Sequence, residues 1–556
     1  MAGAPGARGS VMSDDTKSKS EQQLRYPFSR REFIAATGAG LAAASPAVAG
    51  GSGLTATASS AKAQRAPFDS LRDYVQMLEA RGLLLRIDRI DQDAYEGTAL
   101  MYRLVDRYGW NRAPVVLFEE VKVDGRWRKG PVVANISRHV DIEALLFGVE
   151  PVPGDATATY ARARAHFDQL IEKGGGAYPT IEQAEVSRED APCKQVILEG
   201  DAIDVRSFPF LQNNPGDSGR FVNTASIFSS DPETGLNIGT YRCEIKGPRH
   251  IAILSGEGQT TYTMWKAKAA RGETSAPVTL AVGQDPVVWV VGSSRIPARR
   301  GKQHIDEMAI AGGLRGRAIE VVRSETNDFF VPAHSEMIIE GTVSLVDSEP
   351  NGPYGERSGY IGAPYVGAFP MTVTRVTHRR DPWIVNDFTG VTRALPELPV
   401  CALEAAGLKR LIPAVSDYRF VDSVAFLSIK KAKPGQALEI GKSLAKLSPV
   451  WKIIMFVDDD VNLWNPADLF MAFATRWQPH PASHIFKDMM AVPLEPSSPS
   501  YMKTSNIIID ATRQWPEEGG PERYPDYSRD ALADFDPEIF EHVDAKWMDD
   551  ITRRFG

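Results

Sequence analysis

Cysteine is scarce in this chain: Cys193, Cys243 and Cys401 are the only three among 556 residues, far apart and odd in number. No C-x-x-C spacing exists, so neither a zinc cluster nor a disulfide framework organises the fold. The apolar run near the N-terminus, from Ala35, is too short for a membrane-spanning helix, which requires roughly 20 residues. Excess positive charge is also missing. A formal net charge of -8 argues against nucleic acid as a partner, because phosphate binding requires clustered lysine and arginine. No internal repeat is visible. What the sequence does have is the balance of an ordinary folded protein, since 43% hydrophobic and 24% charged residues exclude a largely disordered chain. Its length exceeds one typical core, so two or three domains are expected.

Residues 1–65 read as a leader and linker rather than as part of the fold. The twin arginines Arg30 and Arg31 stand between Ser29 and Phe33, an apolar Ala/Gly-rich run follows from Ala35, and small residues stand at Ala47 and Ala49. This pattern resembles a twin-arginine export signal, cleaved after Ala49 or after Ala63. It implies a periplasmic or exported protein, with the cytoplasm as the alternative location. That route carries folded proteins, so a cofactor acquired in the cytoplasm would travel with the chain.

Three regions follow. In residues 66–192 a helical apolar spacing (Leu71, Tyr74, Val75, Leu78) ends at Gly82, and strand-like runs begin at Ala113 and Gly130, which together predict a mixed α/β domain. Residues 193–385 consist of short β-rich runs punctuated by glycine and proline, among them "KQVILEG", "APVTLAVG", "DPVVWVVG", "EMIIEGTVSLV" and "FPMTVTRVTH". They predict an antiparallel barrel or sandwich, with one helical insertion around "HIDEMAIAGGLRG". Residues 386–412 supply a connecting segment and helix. Residues 413–556 return to βαβα order, a second α/β domain with an acidic, aromatic tail.

The central region carries polar groups that packing does not require. Asn237 and Arg242 lie on one short segment, "NIGTYR", where a straight strand would put them on opposite faces; the glycine between them permits a kink. Glu336 starts a strand in "VPAHSEMIIEG", and Glu356 sits in the glycine-dense "GPYGERSGY". Oxygen ligands such as Asn and Glu suit Mg, Mn or K rather than zinc.

These segments, with "GGLRGRAIEVV", "VDDDVN" and "FATRWQP", resemble the motifs of the UbiD-type decarboxylase family, from about Phe68 to Trp547. The resemblance implies an α+β protein, in which a central split β-barrel binds flavin between an N-terminal and a C-terminal α/β domain. It implies prenylated FMN, obtained from a flavin prenyltransferase, with a divalent cation (Mn) and a K ion at its phosphate. It also implies a homo-oligomer, dimer or hexamer. The reaction implied is reversible, non-oxidative decarboxylation of a small aromatic or α,β-unsaturated acid. By motif, Asn237, Thr240, Tyr241, Arg242 and Glu336 would line the cofactor. Asn237 and Glu336 would ligate the metal, Arg242 would be the catalytic arginine, and Arg476 would lie near the monovalent ion. A carboxylic acid has to supply the proton that replaces CO2. In relatives it precedes the connecting helix, which makes Glu397 the first candidate here and Asp387 the second.

One departure stands out. Many relatives carry a metal-ligating histidine in an S-H-x-G-G run soon after the arginine, whereas this chain reads "LSGEGQTT", with Gly256 at that position. His250 comes six residues earlier and Glu257 one residue later, so Glu257 becomes a candidate ligand; a weakly held cation or a different phosphate site are the alternatives. Two other function classes also stay open. One is a plain FMN-binding oxidoreductase, the other a catalytically lapsed, exported aromatic-acid-binding protein. The export reading is directly testable. Arg30→Lys combined with Arg31→Lys should leave the precursor in the cytoplasm with its cofactor in place. Wild-type protein found wholly in the cytosol at full precursor mass would overturn the signal.

Overall fold

A computed structural model describes residues 65–555 apart from 110–111, 138–139, 295–298, 301–302, 305, 392–397, 422, 448–450, 492–494 and 501–502. The leader with Arg30 and Arg31, and Glu397, lie outside the described residues.

The first helix, Leu71–Ala80, starts at a capping box in which Ser70 and Asp73 each accept the other's backbone N–H at 3.2 Å. It buries Leu71, Tyr74, Val75, Met77 and Leu78, and Gly82, at φ +70°, follows its end. Beside it lies a four-stranded sheet in the order Leu84–Asp91, Val115–Val123, Arg126–Ala134, Ile384–Asn386. The fourth strand arrives from more than 200 residues downstream and runs parallel to Arg126–Ala134 (about 250 by the numbering). The chain thus re-enters the first sheet where the sequence placed the end of the central region. Ala184–Glu185, in turn, pairs with Glu320–Arg323 in a separate three-stranded sheet.

The central sheet has ten strands and curls into a half-barrel. Its path runs Phe221–Val222, Cys243–Gly247, His250–Ile253, Tyr365–His378, Met337–Ser344, Ser275–Val282, Ser226–Asp231, Gly235–Gly239, each pair antiparallel. The 14-residue strand Tyr365–His378 also pairs with Glu349–Asn351 and Val196–Glu199. Fully buried Trp265 packs edge-on against Phe369 at 4.7 Å to fill one side.

One expected strand is a helix. "DPVVWVVG" forms Pro286–Ser293, with the Asp285 side chain accepting from Val287 N at 2.7 Å and proline in the first turn. A short run that is apolar all round gives no periodicity, so the cap decides. The helix expected in "HIDEMAIAGGLRG" is Glu307–Arg315, closed by Gly316 at φ +75°. Beyond the connecting helix Leu398–Leu411, the last region has a mixed five-stranded sheet, in the order Val415–Val421, Val424–Ile429, Ile453–Asp458, Lys503–Ala511, Ser483–Met490. The tail is helical through Ser528–Phe535, Ile539–Val543 and Asp549–Phe555.

Candidate active site

The strand that carries Asn237 stops at Gly239, and the next begins at Cys243. Asn237 and Arg242 therefore share no strand, and alternation no longer assigns them to opposite faces. The backbone at Gly239 passes so close to the Tyr241 ring that a Cβ there would force the ring to shift.

Around Asn237 a polar nest assembles. Its Nδ2 donates to Thr261 Oγ1 at 3.0 Å, and Thr261 shares a hydrogen bond with Ser229 Oγ at 2.8 Å. Thr261 belongs to the first turn of the helix Thr260–Ala270. Burial pushes the Tyr241 phenol up, opposed by hydrogen bonding to Thr261 and Asn237. Thr240 Oγ1 meets Ser293 Oγ at 3.0 Å. Ile238 N donates to Glu307 Oε2 at 3.1 Å, and burial pushes the Glu307 carboxyl up to about 8. The following loop runs beside Arg242, with Leu254 N bonded to the Arg242 carbonyl at 3.1 Å. Its Ser255 hydroxyl is buried with no hydrogen-bond partner among the described residues.

Arg242 faces a second cluster. Its Nε donates to Asn351 Oδ1 at 2.6 Å, its Nη2 to Asn351 O at 3.1 Å, and its Nη1 to Glu356 Oε1. The guanidinium also lies over the Tyr354 ring, 5.0 Å from its centroid. Burial pushes the Glu356 carboxyl up to about 7, although Arg242 pulls it the other way. Asp387 joins this cluster through its backbone: Asn213 and Asn223 each donate to its carbonyl at 2.7 Å. Asn223 also bonds the Tyr354 hydroxyl at 3.2 Å, which meets Thr389 Oγ1 at 2.9 Å.

The remaining candidates lie apart. Glu336 is fully buried, but both its oxygens accept from Arg72 at 2.7 and 2.6 Å, and Oε2 also takes Trp383 N at 3.0 Å. That is an anchor for the first helix, with little lone-pair capacity left for a cation. Glu257 is exposed to solvent. Arg476 is held by Asp458 and Asp460, at 2.5 and 2.8 Å, within the last region. Sequence reasoning passed over Glu307 and Asn351. For Glu307 a signal existed, as a carboxylate opening a helix directly after the Asp306 cap; nothing local marked Asn351.

Among the described residues no three His, Cys, Asp or Glu side chains form a metal-binding group. The donors near Asn237 are a carboxamide, hydroxyls and one carboxylate, all hard oxygens. The orphan Ser255 hydroxyl and the first turn of the Thr260–Ala270 helix add donors of the kind a phosphate accepts. A carboxylate beside that phosphate has to be neutral or share a cation with it. The nest therefore fits a phosphate-bearing cofactor, and Asn237 with Glu307 fits a hard cation better than Asn237 with Glu336.

Comparison with known proteins identifies the fold. Residues 184–392 match the 3-octaprenyl-4-hydroxybenzoate carboxy-lyase Rift-related domain (UbiD), and residues 397–511 match the C-terminal domain of the same carboxy-lyase. An uncharacterised protein of Aeropyrum pernix is 27% identical over 512 residues, covering 86% of this chain and 98% of its own. The vanillic acid decarboxylase of Sedimentibacter hydroxybenzoicus in its closed form has a TM-score of 0.72 at 24% identity, covering 85% of this chain and 99% of that one. The UbiD-class enzyme HmfF of Pelotomaculum thermopropionicum, solved with FMN, has a TM-score of 0.66 at 26% identity, covering 84% and 100%. An evolved dimeric form of HmfF was solved with prenylated FMN, at 24% identity, a TM-score of 0.65 and coverage of 84% and 100%. The fold is thus that of the carboxy-lyases, a mixed α/β architecture shared along nearly the full length of those enzymes. The chain belongs to the UbiD family, whose members are decarboxylases acting on carboxylic acids.

The two carboxylates can be told apart by experiment. Glu336→Gln removes the charge that compensates Arg72, and should cost about 3 kcal/mol of stability in chemical denaturation. Flavin and metal content per folded molecule should stay at the wild-type level. A variant of wild-type stability that loses its metal would return Glu336 to the cation site.

Proposed function

We propose that the protein catalyses reversible, non-oxidative decarboxylation of an aromatic or α,β-unsaturated carboxylic acid using prenylated FMN, with Glu356 delivering the proton that replaces CO2. The observation that carries this reading is the buried Arg242–Glu356 pair, with its carboxyl raised to about 7. When bound, the prenylated flavin supplies an electrophilic centre able to accept the electrons left as CO2 departs. The chain's own residues do the rest. Asn351 holds the Arg242 guanidinium by Nε and Nη2, leaving Nη1 to fix the Glu356 carboxyl. A carboxyl titrating near neutrality exists in both protonation states at working pH, as an acid that both gives and takes a proton requires.

This role replaces the one expected for Glu397, with Asp387, beside the same Tyr354–Thr389 contact, as the reserve. Asn237 and Glu307 would hold the divalent cation, Mn by preference, with the phosphate, and a K ion would complete the charge balance. A flavin prenyltransferase would supply the cofactor, and export of the loaded protein would place it in the periplasm. Self-association into a dimer or hexamer is supported by Phe470, Met471 and Phe535, which are 72%, 58% and 88% exposed in the C-terminal region. The mass of the bound flavin separates this reading from a plain FMN oxidoreductase.

Glu356→Gln keeps size but cannot donate a proton, and should lower turnover about 10²–10⁴-fold. Solvent deuterium incorporation into substrate should fall in parallel. Because the Glu356 pKa lies above the ordinary carboxylate range, the protonated donor is lost only as pH rises through about 7. Wild-type decarboxylation should decline there, and the residual activity of the variant should lack that limb. Turnover within a few-fold of wild type would remove Glu356 from the proton path.

A further inference from the structure

The cavity beside Glu356 holds more information, and its use here rests on Glu356 being the proton donor. A carboxyl that protonates carbon needs the reacting molecule in the space it faces. That space measures about 270 Å³, just under the roughly 300–1,000 Å³ of ordinary ligand pockets, which is room for a single substituted ring. Tyr102, Pro215 and Ile361 form its apolar walls, while Thr389 and Asn214 are its polar side chains besides Glu356. The Thr389 hydroxyl is already engaged by Tyr354 at 2.9 Å.

Asn214 is different. Its backbone is fixed on both sides, with N donating to Asp217 Oδ2 at 2.8 Å and O accepting from Asp217 N at 3.0 Å. Asp217 Oδ1 also takes Gly355 N at 2.7 Å, which locks the Asn214 loop to the residue before Glu356. The Asn214 carboxamide lies against Gly355, where a Cβ would overlap its Nδ2. It hydrogen-bonds none of the described residues. A pre-positioned carboxamide offers both a donor and an acceptor at the edge of the cavity. Tyr102 reaches the cavity from the helix Glu96–Tyr108, is 45% exposed, and stands at the mouth.

We infer that Asn214 is a specificity-determining residue, hydrogen-bonding a hydroxyl or other polar substituent on a single-ring aromatic acid, and that Tyr102 limits the length of that acid. Polar pockets discriminate strongly, because a substrate lacking the substituent leaves the carboxamide unpaired against it.

The test uses the full-length protein and calorimetric binding of benzoate, 4-hydroxybenzoate and 2-naphthoate, with turnover of each measured in parallel. Wild type should bind 4-hydroxybenzoate about 10-fold tighter than benzoate, the value of one good hydrogen bond. Asn214→Ala should bring that ratio close to one, mainly by weakening 4-hydroxybenzoate, and Asn214→Ser should do the same should the alanine variant fail to fold. Tyr102→Ala should raise 2-naphthoate affinity by about 10-fold, at the scale of one relieved steric clash. An unchanged ratio in both Asn214 variants, equal weakening of both benzoates, or no saturable binding of any probe to wild type would overturn the inference. Asn214-dependent binding without decarboxylation of any acid would sink the decarboxylase reading and leave this inference standing. Turnover whose selectivity ignores Asn214 would do the reverse.

Discussion

A guanidinium taken out of water has to find acceptors for its donors, and most of the candidate site is built around doing so for Arg242, whose side chain is 8% exposed. The segment from Asn351 to Glu356 wraps it, offering a side-chain oxygen, a carbonyl, an aromatic face and a carboxylate in six residues. The wrap requires Gly352 at φ +95°, where a Cβ would lie 3.1 Å from Arg242 Nη2. From outside, Glu244 takes Gly352 N at 2.8 Å and Asp217 takes Gly355 N at 2.7 Å, so the loop is pinned independently of its arginine. Glu356 is therefore desolvated by the same packing that gives it a cationic neighbour. Burial is the larger effect, and the carboxyl rises rather than falls.

Other buried ion pairs serve to hold the regions together. Arg72 of the first helix reaches Glu336 at the start of a central strand, and stacks over Trp383 at 5.0 Å. Arg315 binds Asp285 and donates to Phe68 O at 2.8 Å. Both tie the beginning of the fold to the half-barrel. The returning strand Ile384–Asn386 completes the connection and delivers Asp387, Phe388 and Thr389 to the edge of the site. Phe388, fully buried, packs edge-on against Phe118 at 6.4 Å, which seats this delivery in the core of the first sheet. Site geometry in this protein thus depends on packing far from the chemistry.

Much of the architecture was legible in the residues. Period-3.6 spacing marked Leu71–Ala80, and alternating β-branched runs marked the long strands of the half-barrel, because burial of one face imposes those periods. Arg242 and Asn237 were legible as residue types with no packing role. The helix Pro286–Ser293 was not, since uniform apolarity suits a buried helix and a buried strand equally. Nor was the division of labour among carboxylates. Glu336, Glu307 and Glu356 each stand beside a turn or element start, and sequence context alone does not show which group each will meet.

By itself the sequence determined the first helix, most strands of the half-barrel, the family, and the residue types from which the candidate site is drawn, hard oxygens with an arginine. Only the tertiary structure decided what each carboxylate meets: Glu336 the Arg72 guanidinium, Glu307 the backbone N–H of Ile238, and Glu356 the Arg242 guanidinium. The reason is physical. Periodicity and capping act over a few residues, whereas a carboxylate's pKa and partner depend on desolvation and charge within a few ångströms, contributed here by residues more than a hundred positions away.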